Sequence, residues 1–128
     1  DYNRLSMLLA VLEKRVGIQI HTFDAYINVA GGFKLDEPAA DLGVIAAIVS
    51  SFRNKPVCAD TVFFGEVGLT GEVRSVSQMD KRVIESMRLG FKKCIVPKAG
   101  KSTAVNNFSG LEIQTVSTVE QALEAAFD

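Results

Sequence analysis

Gly31-Gly32-Phe33-Lys34-Leu35-Asp36-Glu37-Pro38-Ala39-Ala40-Asp41-Leu42 is the stretch whose reading decides the fold. It reads as a strand end, a charged turn and a helix that opens at a proline. Proline suits the first helical position, where its missing N–H would have no intrahelical partner. Such a layout presents whatever follows the proline at a helix N-terminus, a common place for a catalytic group. Here the helix opens with Ala39 and Ala40, which carry no reactive atom.

The sequence on either side fits a chain of alternating helices and strands. Upstream, Ala25, Ile27 and Val29 alternate with Tyr26 and Asn28, predicting a strand that stops at Gly31-Gly32. Before it, Leu5, Leu8, Leu9, Leu12 and Val16 form one face of a helix over residues 2–16, with Asp1 or Asn3 as cap and Gly17 as terminator. Ile18 and Ile20 alternate with Gln19 and His21, a short strand. Downstream, Ala39–Phe52 is almost continuously apolar, a heavily buried helix ended by Asn54-Lys55-Pro56.

Thr61–Val67, the turn Gly68–Gly71 and Glu72–Val76 read as a hairpin. Ser77 with Asp80 fits a capping box, and Met79, Val83, Ile84 and Met87 are the inward face of the helix that follows, ending at Gly90. Phe91, Ile95 and Val96 predict a strand stopped by Pro97, residues 99–110 a loop, and Leu111, Ile113 and Val116 another strand. Ser117 with Glu120 suggests a second capping box, opening a helix to Phe127. The order predicts an α/β (α+β) domain with a mixed sheet and packed helices.

The 128 residues fit one domain, 1–128, with 48% hydrophobic and 23% charged residues, enough apolar material for a core without metal or disulfide. A net charge of −1 supplies no global field for nucleic acid, so any phosphate contact must be a local patch. Cys58 and Cys94 lack metal-type spacing and read as reduced thiols. No apolar run approaches the roughly 18 residues of a membrane span.

Few residues offer chemistry. Asp36, Glu37 and Asp41 cluster at a helix start, where capping explains them better than acid–base catalysis. His21 is the single histidine and reads as an ordinary surface residue. Ser50 and Ser51 sit at the far end of their helix, and Ser77 reads as a cap beside Ser75. Gly65-x-x-Gly68-x-x-Gly71 lies in strand and turn without the Gly-Lys-Ser/Thr of a phosphate loop. Arg74, Lys81, Arg82, Arg88, Lys92 and Lys93 form a basic stretch. It is either a solvated helix face or a patch for nucleic-acid phosphates, with Lys81 and Arg88 seven residues apart on one face.

Several ordered segments carry a resemblance. Asp1–Lys14, Val29-Ala-Gly-Gly32, Lys34–Leu42, Gly65–Arg74, Leu89-Gly-Phe91 and Ile95-Val-Pro-Lys98 resemble the C-terminal Lon-protease-like domain of the bacterial RadA (Sms) DNA repair family over nearly the whole chain. The resemblance implies the ribosomal-protein-S5-domain-2-like fold of Lon peptidase domains, with this piece following a RecA-like ATPase core and its first strands upstream of Asp1. Active Lon-type proteases are similar in frame but carry Ser at the position of Ala39 and Lys at that of Asp80. Both halves of the dyad are absent here, so the resemblance implies a pseudo-protease. A residual peptidase using another serine, or a pure protein-interaction scaffold, are the alternatives.

The resemblance further implies a homo-oligomer, a hexameric ring in the parent protein, that binds single-stranded or branched DNA and drives ATP-dependent branch migration. Arg74, Lys81, Arg82, Arg88, Lys92 and Lys93 are the DNA-contact candidates. No cofactor is expected in this chain, since ATP, magnesium and zinc belong to upstream domains. A recombinase is a further expected partner, a membrane is not, and a bacterial cytoplasm or a bacterially derived organelle is the expected compartment.

Overall fold

A computed structural model describes residues 2–18, 37–98 and 110–127 of the chain. The expected strand over Ala25–Val29, the Gly31–Asp36 part of the opening stretch, His21 and nearly all of the 99–110 loop lie outside the described residues.

The first helix, α1, spans Tyr2–Val11 and continues as a wider π-helical turn over Leu12–Val16. It ends as the sequence predicts: Gly17 takes a left-handed conformation at φ 80° and returns its N–H to the Leu12 carbonyl. Asn3 lies inside this helix and not at its cap. A 3-10 turn over Pro38–Ala40 leads into α2, Asp41–Arg53, which stops at Asn54 in the left-handed region. Strands β1 (Thr61–Phe63), β2 (Glu66–Val67) and β3 (Val73–Arg74) precede α3, Met79–Arg88. Then come β4 (Lys93–Pro97), β5 (Glu112–Val116) and α4 (Val119–Ala126).

Parallel and antiparallel pairings are both present, as an α/β fold with a mixed sheet requires, but among the described residues they fall in separate ladders. A parallel three-stranded sheet has the order β1-β4-β5, and β2 pairs antiparallel with β3. The hairpin turn is where the sequence places it. The run Thr61–Val67 is not one strand, however: it passes from the parallel sheet to the ribbon at Phe64-Gly65. The cause is a close approach. A Cβ on Gly65 would lie 2.9 Å from Val73 Cγ1 and 3.3 Å from Leu42 Cδ2, so only glycine lets the chain turn against α2 and the ribbon.

Side chains alternate across the parallel sheet. Ile95 and Val116 face α1, α2 and α4 in the larger core with Leu12, Leu42, Ile45 and Val49. Cys94, Val96 and Leu111 face α3, whose Met79 and Val83 close a second, smaller core. Helices thus cover both faces, as parallel sheets need. Among the described residues no helix is long and apolar enough to cross a membrane.

One predicted capping box is displaced and the other is not formed. Thr118, not Ser117, caps α4: its hydroxyl accepts from the Gln121 N–H at 3.2 Å, and the Gln121 side chain takes the Ser117 N–H at 2.7 Å. The spacing of the motif was right and its register was off by one. At α3 the cap position is Gln78, left-handed at φ 58°, with no side-chain hydrogen bond to the helix. Ser77 contributes its carbonyl instead, which accepts from Arg82 Nε at 2.9 Å. Pro97 ends β4 from inside, paired with Val116.

Candidate functional site

The opening of α2 carries a connected set of polar contacts. Glu37 caps the 3-10 turn, its carboxylate accepting from the Ala39 N–H at 3.3 Å. The Ala39 carbonyl accepts from the Gly65 N–H at 3.0 Å, and the Gly65 carbonyl from the Leu42 N–H at 3.1 Å. These bonds clamp the helix start to the β1–β2 crossing. Ala39 is only 2% exposed and offers a methyl group where a nucleophile would be presented.

Asp41 is equally buried, yet its acceptors are all occupied. Arg4 Nε donates to one carboxylate oxygen at 2.6 Å, and Arg4 Nη2 to the other at 2.5 Å, which also takes the Val67 N–H at 3.0 Å. The planar guanidinium fork matches the carboxylate in a two-pronged pair. Arg4 also reaches Glu66 at 3.4 Å. Its pKa is raised, chiefly by the hydrogen bond to Asp41 and despite partial burial. The group ties α1, α2 and β2 together and leaves no free carboxylate for acid–base work. Sequence reasoning overlooked Arg4, although the signal was present: it lies four residues before Leu8, on the inward stripe of α1. An arginine there needs a partner inside.

Asp80, where the resemblance would place a lysine, is exposed in the first turn of α3. The two helix starts are linked by Arg82. Its guanidinium stands 3.3 Å from the Glu37 carboxylate and 6.0 Å from the centre of the Phe64 ring. Arg82 is thus a brace across the frame, with one donor already on the Ser77 carbonyl.

The other basic residues divide by position. Lys81 and Arg88 lie exposed on one face of α3, with Arg88 3.8 Å from Glu85, and Lys92 is exposed just beyond the helix. Among the described residues Lys81 and Lys92 make no side-chain ion pair. Arg74 is on the ribbon, paired with Glu72 at 2.7 Å, which raises the Arg74 pKa. Lys93 turns to the opposite side of the sheet from α3, where its ammonium donates to the Ala125 carbonyl at 2.7 Å. The structure therefore leaves Lys81 and Arg88 exposed on α3 and Lys92 exposed beyond it, and holds Arg74, Arg82 and Lys93 in other contacts.

The Ser86 hydroxyl donates to the Arg82 carbonyl at 2.8 Å and the Ser50 hydroxyl to the Lys55 carbonyl at 2.6 Å. Burial pushes the Cys94 thiol up to about 12, far from a reactive thiolate. Among the described residues no group of His, Cys, Asp and Glu could hold a metal ion.

Comparison with known proteins adds the family. Residues 7–128 match the Lon protease (S16) C-terminal proteolytic domain. The DNA repair protein RadA of Halalkalibacterium halodurans is 54% identical over 126 residues, 97% of this chain and 27% of that protein. RadA of Bacillus subtilis is 50% identical over 126 residues, 98% of this chain and 27% of that protein. RadA of Listeria monocytogenes is 44% identical over 129 residues, again 98% of this chain and 27% of that protein. The chain spans little more than a quarter of the length of these curated relatives. It belongs to the family of the Lon protease (S16) C-terminal proteolytic domain, in the Lon-like form that resembles RadA.

Proposed function

We propose that this chain is a non-proteolytic Lon-fold module of a bacterial DNA repair and recombination protein. In this reading it serves as oligomerisation scaffold and DNA-contacting surface for an ATP-dependent branch-migration motor in the cytoplasm. The observation that carries the non-proteolytic part is the frame at Pro38–Leu42. A peptidase of this type needs a serine hydroxyl beside a neutral amine that accepts its proton. Ala39 has no oxygen, Asp80 has no amine, and Arg82 spans the space between the two helix starts while bound to Glu37. A guanidinium stays protonated at any ordinary pH and cannot serve as the base.

The DNA-contacting part is supported by the exposed cations Lys81, Arg88 and Lys92, and by the role of the relatives in DNA repair. Lys81 and Arg88 are the cleaner test, because removing Arg82 would also loosen the brace to Glu37. Fluorescence anisotropy with a single-stranded oligonucleotide, measured across a salt series, checks it. Replacing Lys81 and Arg88 by alanine should weaken binding and reduce the slope of log K against log salt by about 1 to 2. An unchanged affinity and slope would remove these residues from the interface. Incubation with unfolded casein tests the other part. No cleavage is expected, and cleavage lost on replacing Ser75 or Ser77 by alanine would overturn the reading.

A further inference from the structure

The hairpin turn between β2 and β3 is braced from within. The Glu72 carboxylate accepts from the Thr70 N–H at 3.1 Å, from the Thr70 hydroxyl, and from the Arg74 guanidinium at 2.7 Å. The Gly71 N–H closes the turn on the Gly68 carbonyl at 3.0 Å. On this fixed turn Leu69 stands 73% exposed. A leucine so exposed gains little from burial within its own chain.

The same turn rests on the body at a particular place. The Gly71 carbonyl accepts from the Val119 N–H at 2.9 Å. A Cβ on Gly71 would lie 3.2 Å from Arg15 Cγ, so the Arg15 stem lies against the turn. Arg15 in turn opens a groove of about 450 Å³ where the ends of α1 and α2 meet α4, with Val16, Arg53, Glu120, Glu124 and Phe127 along it. Arg53 lies over the Phe127 ring at 5.5 Å. Arg15, Glu120 and Glu124 line one groove with opposite charges, yet among the described residues they form no ion pair.

We propose that this face, the Leu69 tip beside the Arg15–Glu120–Glu124 groove, docks a second copy of this chain about a two-fold axis. Charge selects the occupant. An anionic partner would meet Glu120 and Glu124, and a cationic one Arg15 and Arg53. A surface bearing the same balanced set satisfies both, and a two-fold contact brings each Arg15 to the acidic residues of its mate. Leu69 supplies an apolar anchor among the charges. A ring needs head-to-tail contacts, whereas a self-complementary face closes on itself. The pairing is therefore a contact in addition to any ring, and it does not rest on the function proposed above.

Sedimentation velocity of the 128-residue chain from about 1 μM to about 1 mM tests it. A reversible monomer–dimer equilibrium that weakens with salt is expected. Leu69→Asp and Arg15→Glu should each raise the dimer dissociation constant at least about tenfold. The double change Arg15→Glu with Glu120→Arg should bring it back toward the original value. Circular dichroism checks that each variant folds, and Glu120→Arg alone replaces Arg15→Glu if the latter disturbs the packing on Gly71. A chain that stays monomeric throughout overturns the proposal. Association that ignores Leu69→Asp and the charge changes also overturns it, while leaving self-association through another surface intact.

Discussion

Two acidic residues, Asp41 and Glu72, show how much a carboxylate's surroundings decide its part. Asp41 is buried and fully engaged, with the Arg4 fork and the Val67 N–H as its donors. Replacing it by alanine leaves a half-buried cation and a buried amide without an acceptor. Breaking such a pair from one side costs several kcal/mol when both ions are fully buried. Arg4 remains 23% exposed and can recover some water, so about 2 to 3 kcal/mol is expected for Asp41→Ala. Urea denaturation reads it, and a change under about 0.5 kcal/mol would mean that the pair contributes no more than a surface one. Glu72 is the opposite case, an exposed carboxylate held at about 2 instead of 4.5 by the Thr70 hydroxyl first and Arg74 next. Because its folded pKa is depressed, the unfolded chain binds more protons through this window. Its contribution to stability is complete above about pH 4.5 and fades as the pH falls toward 2. A carboxyl NMR titration with a midpoint near 4.5 would show that the turn is not braced as described.

At the scale of elements, helices were more legible in the sequence than their edges. The Leu5, Leu8, Leu12 stripe, the apolar run after Pro38 and the Met79, Val83 stripe each became a helix, because 3.6-residue periodicity is local information. Capping depends on which of two neighbouring residues has the extended backbone, and Ser117 and Thr118 both have the right side chain. Only the antiparallel bridge of Glu72 to Thr118 decides it, and that contact is distant in sequence. Thr118→Ala should therefore cost about 1 kcal/mol, whereas Ser117→Ala should stay within about 0.5 kcal/mol. Thermal unfolding of the two variants checks the register, and equal losses would return the cap to Ser117. The split of Thr61–Val67 was illegible for a similar reason. Nothing in the run itself says that Gly65 will meet Leu42 and Val73. The candidate site was legible as a frame, from Pro38 and Ala39, but not as a braced one. The partners Arg4 and Arg82 come from other elements, 37 and 45 residues away in sequence from the carboxylates they hold.

For the whole molecule, the parallel sheet divides the interior unequally. One face carries the large core shared by α1, α2 and α4; on the other, among the described residues, α3 is the helix that packs over Cys94, Val96 and Leu111, with Met79 and Val83. A layer held by fewer buried side chains opens at a lower free energy than the whole domain. Cys94 lies in that smaller core, fully buried, with its thiol pushed up to about 12 by desolvation. A thiol reagent reaches it when the α3 layer opens or the domain unfolds, so the labelling rate distinguishes the two events, with Cys58→Ser removing the other thiol. If α3 opens alone, labelling should depend on urea far more weakly than global unfolding does, because less surface is exposed. Val83→Ala weakens the α3 layer directly and should accelerate labelling about tenfold for each 1.4 kcal/mol lost. Val49→Ala, in the large core, should lower global stability by a comparable amount with little effect on the labelling rate under native conditions. Equal acceleration by both changes, together with the full urea dependence of global unfolding, would show that the two layers open as one unit. The surface bearing Lys81 and Arg88 would then be as rigid as the core beneath the Leu69 face.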